Sequence, residues 1–171
     1  YKAEGIALIR SMNVRDGEFQ WKDLARIDEE QAAKLANVIV EHQDVLLNIT
    51  GASVARVCRA PKEVLPARVN QHVCIIRTKP RIAPRYLEKL LLAGPMKRRL
   101  LGIGEAGATR QAITKAQVLA LAIPSPPLDL QHRFAAIVES VEQQKASQRV
   151  HLVELDTLFA SLQSRAFRGE L

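Results

Sequence analysis

The sequence has few of the residues that support redox chemistry or a disulfide framework. It contains two cysteines, Cys58 and Cys74, and aromatic residues make up 4% of the chain. Each cysteine stands among apolar residues, in RVCRA and HVCII. Isolated thiols in such surroundings are typical of reduced, buried cysteines, so we predict no disulfide and a cytoplasmic location.

The sequence also lacks the motifs of common enzymes and cofactor sites. No apolar run approaches the roughly 20 residues that span a membrane, which predicts no membrane partner. Walker-type, HExxH, CxxC, GxSxG and N/D-P-P-Y/F motifs are absent, and the four histidines are scattered. GIGEAG (102–107) follows a basic helical stretch and not a strand, which argues against dinucleotide binding. We predict no catalytic residues, no cofactor and no metal.

Positive charge is concentrated in the first three quarters of the chain. The net charge is +7, and residues 1–127 hold 20 of the 25 basic residues but 12 of the 18 acidic ones. Between Arg77 and Arg99 there are eight basic residues and a single acidic one, Glu88. Such an excess favours a polyanionic partner, although a basic surface that serves only solubility is the alternative.

Residues 1–127 contain several short segments that predict strands, with short helices between them. Predicted strands are GIALIR (5–10), DVLLNIT (44–50), SVARVC (53–58), VNQHVCIIRT (69–78) and VLALAIP (118–124). An Asp16-Gly17 turn follows the first strand, and capping boxes predict helix starts at Asp28 and Thr114. APRYLEKLLLAG (83–94) is amphipathic, and MKRRLLGIGEAGATRQAI predicts a short basic helix followed by a glycine-rich loop. Without a βαβ rhythm, this pattern indicates a mixed α+β domain.

The remainder of the chain has a different pattern. Pro124, Pro126 and Pro127 end the first part, and neither proline nor glycine recurs until Gly169. The spacing of apolar residues predicts one long helix with a coiled-coil seam, interrupted by a polar stretch at 144–151. The predicted helix-pairing residues are Leu130, Phe134, Ile137, Val141, Leu152, Leu155, Phe159 and Leu162. We expect the helix to pair with a similar helix, the alternative being a helix folded against its own domain.

Several stretches in this order resemble the DNA specificity subunit of type I restriction–modification systems. The likeness lies in GIALIRSMNVRDGEF, DVLLNITGASVARV, ARVNQHVCIIR, GATRQAIT through LALAIPSPPLDLQHRFAAIV, and the terminal LQSRAFRGEL. The resemblance implies a target recognition domain (1–127) followed by a conserved helix (128–171) that forms an antiparallel coiled coil. Two such units would each recognise half of a split target in double-stranded DNA.

The resemblance also implies partners and a lack of catalysis. The implied partners are a methyltransferase (modification) subunit and, bound through it, a restriction subunit. The long helix would in addition bind a second recognition unit, either in the same protein or in a homodimer. The sequence departs from the family in holding one domain and one helix. It also lacks the segment that usually precedes the first strand, so we expect an N-terminally incomplete recognition domain.

DNA recognition needs cations for phosphates and polar loop residues for base edges. For phosphate contact we predict Lys79, Arg81, Lys97, Arg98 and Arg99. For base contact we predict Arg10, Ser11 and Asn13 after the first strand, with Thr109, Arg110 and Gln111 in the glycine-rich loop. We expect Asn48 and Thr50 to shape the turn at Gly51.

Two other functions are consistent with the residues alone. The first is a self-contained DNA-modifying enzyme fragment, a nuclease or methyltransferase. The second is a coiled-coil interaction protein that does not bind DNA.

Overall fold

A computed structural model describes residues 1–105 and 111–170 of the chain. The chain divides into two units, the first ending at Gln131 and the second beginning at His132. The first unit combines short strands with short helices, and the second consists largely of one long helix. The predicted α+β class and the long C-terminal helix are therefore confirmed.

The strands form two sheets and a hairpin. Their bounds are β1 Ile6–Ile9, β2 Val14–Arg15, β3 Glu18–Phe19, β4 Ala25–Ile27, β5 Ile39–Val40, β6 Val45–Asn48, β7 Val57–Arg59, β8 Ala67–Val69 and β9 Val73–Ile76. A four-stranded mixed sheet has the order β4-β1-β8-β5, in which β1 and β8 are parallel. A three-stranded antiparallel sheet has the order β7-β6-β9, and β2 pairs with β3 across the predicted Asp16-Gly17 turn.

Two of the helices begin at the caps that the sequence predicts. The helix bounds are α1 Glu29–Lys34, α2 Pro84–Leu92, α3 Gly94–Glu105, α4 Lys115–Leu119 and α5 Leu128–Phe167. Asp28 Oδ1 accepts from Gln31 N at 2.9 Å, and Gln31 Oε1 accepts from Asp28 N at 3.2 Å. The bond from the Gln31 main chain is the main cause that lowers the pKa of the Asp28 carboxyl. Thr114 and Gln117 form the second predicted capping box.

The core is layered on both sides of β6. Leu46 packs with residues of the four-stranded sheet and the hairpin, including Ile9 and Phe19. Val45 and Leu47 pack on the opposite side, among buried residues of α2 and α3. Because both faces of β6 are buried, its sequence is continuously apolar and does not alternate.

Three predicted strands differ from the structure. In SVARVC (53–58), Ser53 is the last residue of the 3-10 turn Gly51–Ser53 and Ala55 has a φ of +66°, so strand β7 begins only at Val57. VNQHVCIIRT divides between β8 and β9 because Asn70 Oδ1 accepts from His72 N at 3.1 Å and turns the chain. VLALAIP is not a strand, since the cap at Thr114 starts helix α4.

A lysine fastens the β2–β3 hairpin to the rest of the unit. Lys97 Nζ, on α3, donates to Asp16 Oδ1 at 2.7 Å and to Ala55 O at 2.6 Å. Asp16 Oδ1 also accepts from Val57 N at 3.3 Å, at the first residue of β7. The Lys97 side chain is 20% exposed, so this predicted phosphate ligand is engaged inside the protein.

The first turn of α5 is tied to the first unit through Gln131. This side chain is fully buried, unlike the rest of the described helix. Its Oε1 accepts from Ala83 N at 2.8 Å, and its Nε2 donates to Arg81 O at 2.9 Å and Pro126 O at 2.8 Å. One amide thus satisfies three main-chain groups that flank α2 and the proline-rich segment.

We expect Gln131→Ala to lower the free energy of unfolding by about 1–3 kcal/mol, because it leaves main-chain polar groups without partners. Urea unfolding followed by circular dichroism measures this difference. The matched control is Gln148→Ala, at an exposed position of the same helix. Equal losses in the two variants would contradict a structural role for the Gln131 amide.

The Lys97 contacts generate a second prediction. Lys97→Met should lower the free energy of unfolding by about 1–2 kcal/mol, since it removes an ion pair and a bond to a carbonyl oxygen. Arg98→Met makes the same change in charge one residue later, at an exposed side chain, and should leave stability nearly unchanged. If both variants unfold at the same urea concentration, the Lys97 contacts add nothing to stability.

Candidate nucleic-acid interface

Several turns of the chain meet at the carboxyl end of β6. Because β9 runs antiparallel to β6, the turn before β9 lies beside the turn that follows β6. Main-chain bonds connect Ile49 N to His72 O at 3.0 Å and Gly51 N to Gln111 O at 2.9 Å. The 3-10 turn Ser11–Asn13 also reaches this end. Residues distant in the sequence are thereby collected at one surface.

Asparagine side-chain amides hold these turns in place. Asn48 is fully buried, and its Nδ2 donates to Ser11 O at 2.8 Å. Asn70 forms the bond to His72 N that shapes the next turn. The side chains that support the surface are therefore bonded mainly to main-chain atoms, as expected for asparagine in turns.

Gly51 and Thr50 form a rib at the centre of this surface. Gly51 has a φ of +72°, a conformation that favours glycine, and a Cβ atom there would meet nothing within 4 Å. Thr50 Oγ1 and His72 Nδ1 form a hydrogen bond of 2.7 Å. The rib therefore leaves the main chain at Gly51 open to close contact, and it holds the Thr50 and His72 side chains in a fixed position.

Two open grooves flank the rib. One has a volume of about 420 Å³ and the other about 500 Å³. The first is lined by Ser11, Met12, Arg15, Thr50, Gly51, Ala52, Ser53, Arg56 and His72. The second shares the rib and His72 and adds Gln111 and Ala112. Among residues 1–105 and 111–170, no carboxylate lines either groove, and the grooves present two arginines and several uncharged polar groups.

Two of the predicted base-contacting residues line these grooves. Ser11 lines the first groove and Gln111 the second. Arg10 is directed elsewhere, since its guanidinium lies 5.1 Å from the centre of the Tyr1 ring and donates to Asp23 O. Thr109 and Arg110 lie outside the described residues.

Asn13 requires a correction. It is fully buried, its Oδ1 accepts from Arg10 N at 3.0 Å, and its Nδ2 donates to Gln20 O at 2.9 Å. A side chain in these surroundings supports the loop and is not available to a base edge. The sequence could not separate this role from recognition, because asparagine serves both.

The basic segment from Arg77 to Arg99 is partly neutralised inside the protein. Arg77 pairs with the buried Asp44 at 2.8 Å, and this hydrogen bond raises the pKa of the arginine. Lys97 binds Asp16, while Arg85 lies 3.9 Å from Glu88. The remaining predicted phosphate ligands have exposed side chains, and they are Lys79, Arg81, Arg98 and Arg99.

These exposed cations do not line the two grooves. Lys79 and Arg81 follow the carboxyl end of β9, whereas His72 precedes its amino end. They line a different surface, shared with Ser125 near the prolines. Arg98 and Arg99 lie in the first half of α3, where Arg99 Nη1 donates to Ala122 O at 3.4 Å.

Sequence reasoning missed Arg15, Arg56 and His72. Arg56 lies in the segment predicted as a regular strand, and Arg15 belongs to a hairpin with no basic cluster. No local signal marks them, because long-range hydrogen bonds bring their turns together. The glycine at 51, between a buried strand and polar residues, was the one available hint.

Other chemistry receives no support from the described residues. In the ranges 1–105 and 111–170, no group of three His, Cys, Asp or Glu could hold a metal ion. Both cysteines are free thiols, and burial raises the pKa of Cys58 to about 12. None of the helices in these ranges is long and apolar enough to cross a membrane.

Comparison with known proteins connects this architecture to one family. Residues 14–154 match the family described as "Type I restriction modification DNA specificity domain". Over 178 residues the chain is 26% identical to the type I restriction enzyme EcoBI specificity subunit of Escherichia coli, covering 98% of this chain and 36% of that protein.

Two solved structures share the fold. The HsdS subunit from Thermoanaerobacter tengcongensis has a TM-score of 0.65 at 20% identity, over 85% of this chain and 38% of that chain. A chain from work on complex assembly and conformational transition of the type I R-M system has a TM-score of 0.63 at 20% identity, over 100% of this chain and 40% of that one. The chain spans less than half the length of these relatives. Since the family match extends over most of its residues, it belongs to the type I restriction modification DNA specificity domain family.

Proposed function

We propose that this chain recognises one half of a bipartite target in double-stranded DNA. Residues 1–127 act as the recognition domain, and the segment 128–171, which contains helix α5, spaces two such domains and docks a methyltransferase subunit. The chain itself performs no catalysis and needs no cofactor. The observation that carries this proposal is the pair of carboxylate-free grooves beside the rib at Thr50 and Gly51.

The groove side chains suit contact with a duplex. Arg15 and Arg56 each offer a planar guanidinium, which binds a phosphate or the edge of guanine. Among the described residues, neither forms an ion pair within the chain, so their charge is open to a partner. Ser11 and Gln111 supply uncharged polar groups, and glutamine suits the edge of adenine.

The exposed cations outside the grooves have a second role in the proposal. Arg98 and Arg99 on α3, with Lys79 and Arg81 beyond β9, contact phosphates and add affinity without reading bases. Lys97 is excluded from this set because its charge is already paired with Asp16. Thr109 and Arg110 remain candidates for base contact.

The long helix supports the pairing proposal. All eight predicted seam residues are 40–67% exposed, whereas an apolar stripe of this kind is stabilised by packing against another helix. Forty residues of helix extend roughly 60 Å at about 1.5 Å per residue. Two antiparallel helices of this length would hold two recognition domains at a fixed separation.

The comparisons support the assembly in which this pairing would operate. The relative from E. coli is named as the specificity subunit of a restriction enzyme, and one structural neighbour comes from a type I R-M assembly. We propose that this chain likewise joins a methyltransferase subunit and, through it, a restriction subunit. The second recognition unit is either another copy of this chain or a related domain.

DNA binding is tested by replacing the groove arginines. Arg15→Gln plus Arg56→Gln should lower affinity for a fluorescently labelled mixed-sequence duplex by roughly tenfold or more, with a shallower dependence on salt. The two substitutions remove charges that displace counterions from the duplex. Fluorescence anisotropy over a series of salt concentrations measures both quantities.

The charge-matched control is Lys34→Gln plus Lys62→Gln. Lys34 is exposed on α1, and the exposed Lys62 lies beyond the end of β7, away from the grooves. This variant should bind the duplex nearly as well as the original chain. If both double variants lose the same affinity, net charge and not the grooves determines binding. If the original chain ignores duplexes at low salt, the proposal is wrong.

Helix pairing is tested by placing a charge in the seam. Leu155→Lys should shift a self-associated chain toward monomer, because a lysine at a seam position would lose its hydration in the paired state. Analytical ultracentrifugation measures the solution mass, with the chain alone and mixed with a type I methyltransferase subunit.

Thr157→Lys provides the matched control for this experiment. Thr157 lies about 200° around the helix from Leu155, at about 100° per residue, and its side chain is exposed. This variant should retain the mass of the original chain. A chain that is monomeric alone and fails to bind the methyltransferase subunit would contradict the pairing proposal.

A further inference from the structure

The protein exposes its single tryptophan at the surface of the first unit. Trp21 is 48% exposed, although most of the area of a tryptophan side chain is ordinarily buried. It belongs to the short loop 20–23, which joins β3 to the segment before β4. The ring lies 4.9 Å from the ring of the buried Phe19 at an angle of 67°, so only part of the indole is covered.

The loop is held in place by the turn at 11–13 and its preceding residue. The buried Asn13 amide donates to Gln20 O at 2.9 Å and Lys22 O at 3.4 Å, and Asn13 O accepts from Gln20 N at 2.7 Å. The Arg10 guanidinium donates to Asp23 O. Carbonyl groups on both sides of Trp21 are therefore fixed by side chains of one neighbouring segment.

This support makes the indole a preorganised surface group. A loop fastened at three carbonyls loses little further freedom when it binds a partner, which lowers the entropic cost of binding. Tryptophan combines a large apolar face with an N–H donor, and it is enriched where proteins bind partners. The buried Asn13 amide and the partly exposed Arg10 guanidinium thus hold a loop whose tryptophan remains exposed.

The same turn supports one of the grooves. Ser11 and Met12 line the first groove, and Met12 is 39% exposed. The Trp21 loop and this groove wall thus share one 3-10 turn, which Asn48 ties to β6 through Ser11 O. The exposed Lys22 places a cation directly after the indole.

We propose that the Trp21 loop is a DNA-contacting element, in which the indole packs against deoxyribose and the apolar part of a base edge of a duplex bound at the grooves. Lys22 contacts a phosphate beside it. This inference rests on the proposed function and names a contact that the charge pattern of the chain does not indicate. In a duplex the faces of the bases are covered by their stacked neighbours, so the apolar groups that the indole can reach are the deoxyribose and, in the major groove, the methyl group of thymine.

A single titration separates this inference from the proposed function. The 171-residue chain is titrated with a labelled mixed-sequence duplex at low salt, while label anisotropy and tryptophan emission are recorded together. Anisotropy reports binding, and the emission reports Trp21 alone because the chain has no other tryptophan. We expect the emission to be quenched in parallel with the rise in anisotropy.

Variants then measure the contribution of the side chain. Trp21→Ala should weaken duplex binding roughly tenfold, because it removes a large apolar contact area, and Trp21→Phe should retain most of the affinity. The control is Leu119→Ala, at an apolar side chain on α4 that is 75% exposed and lies outside both grooves. Its affinity should equal that of the original chain.

Each outcome has one meaning. Anisotropy that rises without any change in tryptophan emission overturns the inference and leaves DNA binding intact. A flat anisotropy overturns the proposed function and this inference with it. If Trp21→Ala does not fold, as judged by circular dichroism, the emission titration of the original chain and the Trp21→Phe affinity still decide the question.

Discussion

The burial of β6 on both faces is the constraint on which the first unit depends. Leu46 is directed toward the four-stranded sheet, while Val45 and Leu47 are directed toward α2 and α3. A strand with two apolar faces requires a layer on each side, so it determines how the sheets and helices are stacked. The chain leaves this core through Asn48, whose buried amide binds the main chain. The polar surface therefore begins where the apolar strand ends.

On the surface beyond β6, one set of side chains supports the turns and a different set is exposed in the grooves. The supporting groups are asparagine amides at 13, 48 and 70, which bind main-chain atoms. The groove-lining side chains, such as Arg15 and Arg56, stand above them. The supporting hydrogen bonds do not involve the side chains that line the grooves. Substitutions of the groove side chains can therefore leave these hydrogen bonds in place. Such a surface can therefore vary in its exposed groups while the fold beneath it is kept.

The features that could be predicted from the sequence depend on local chemistry. The capping box at Asp28 and the helix after Pro127 each require only neighbouring residues, and both are present. The division of VNQHVCIIRT between two sheets depends on a turn at Asn70 and on strands far away in the sequence. The same limit applies to the site, since Ser11 and Gln111 were predicted but Arg56 was not. The groove that Arg56 lines forms only when hydrogen bonds join turns that are distant in the sequence.

The joint at Gln131 has a consequence for how such chains can diverge. All three of its partners are main-chain groups, at Arg81, Ala83 and Pro126. A bond to the main chain does not depend on which side chain the partner residue carries, provided the local path of the chain is preserved. Substitutions that alter the globular unit can therefore accumulate around this joint while the start of the helix keeps its attachment. Only the glutamine itself and the course of three peptide groups need to persist for the attachment to survive.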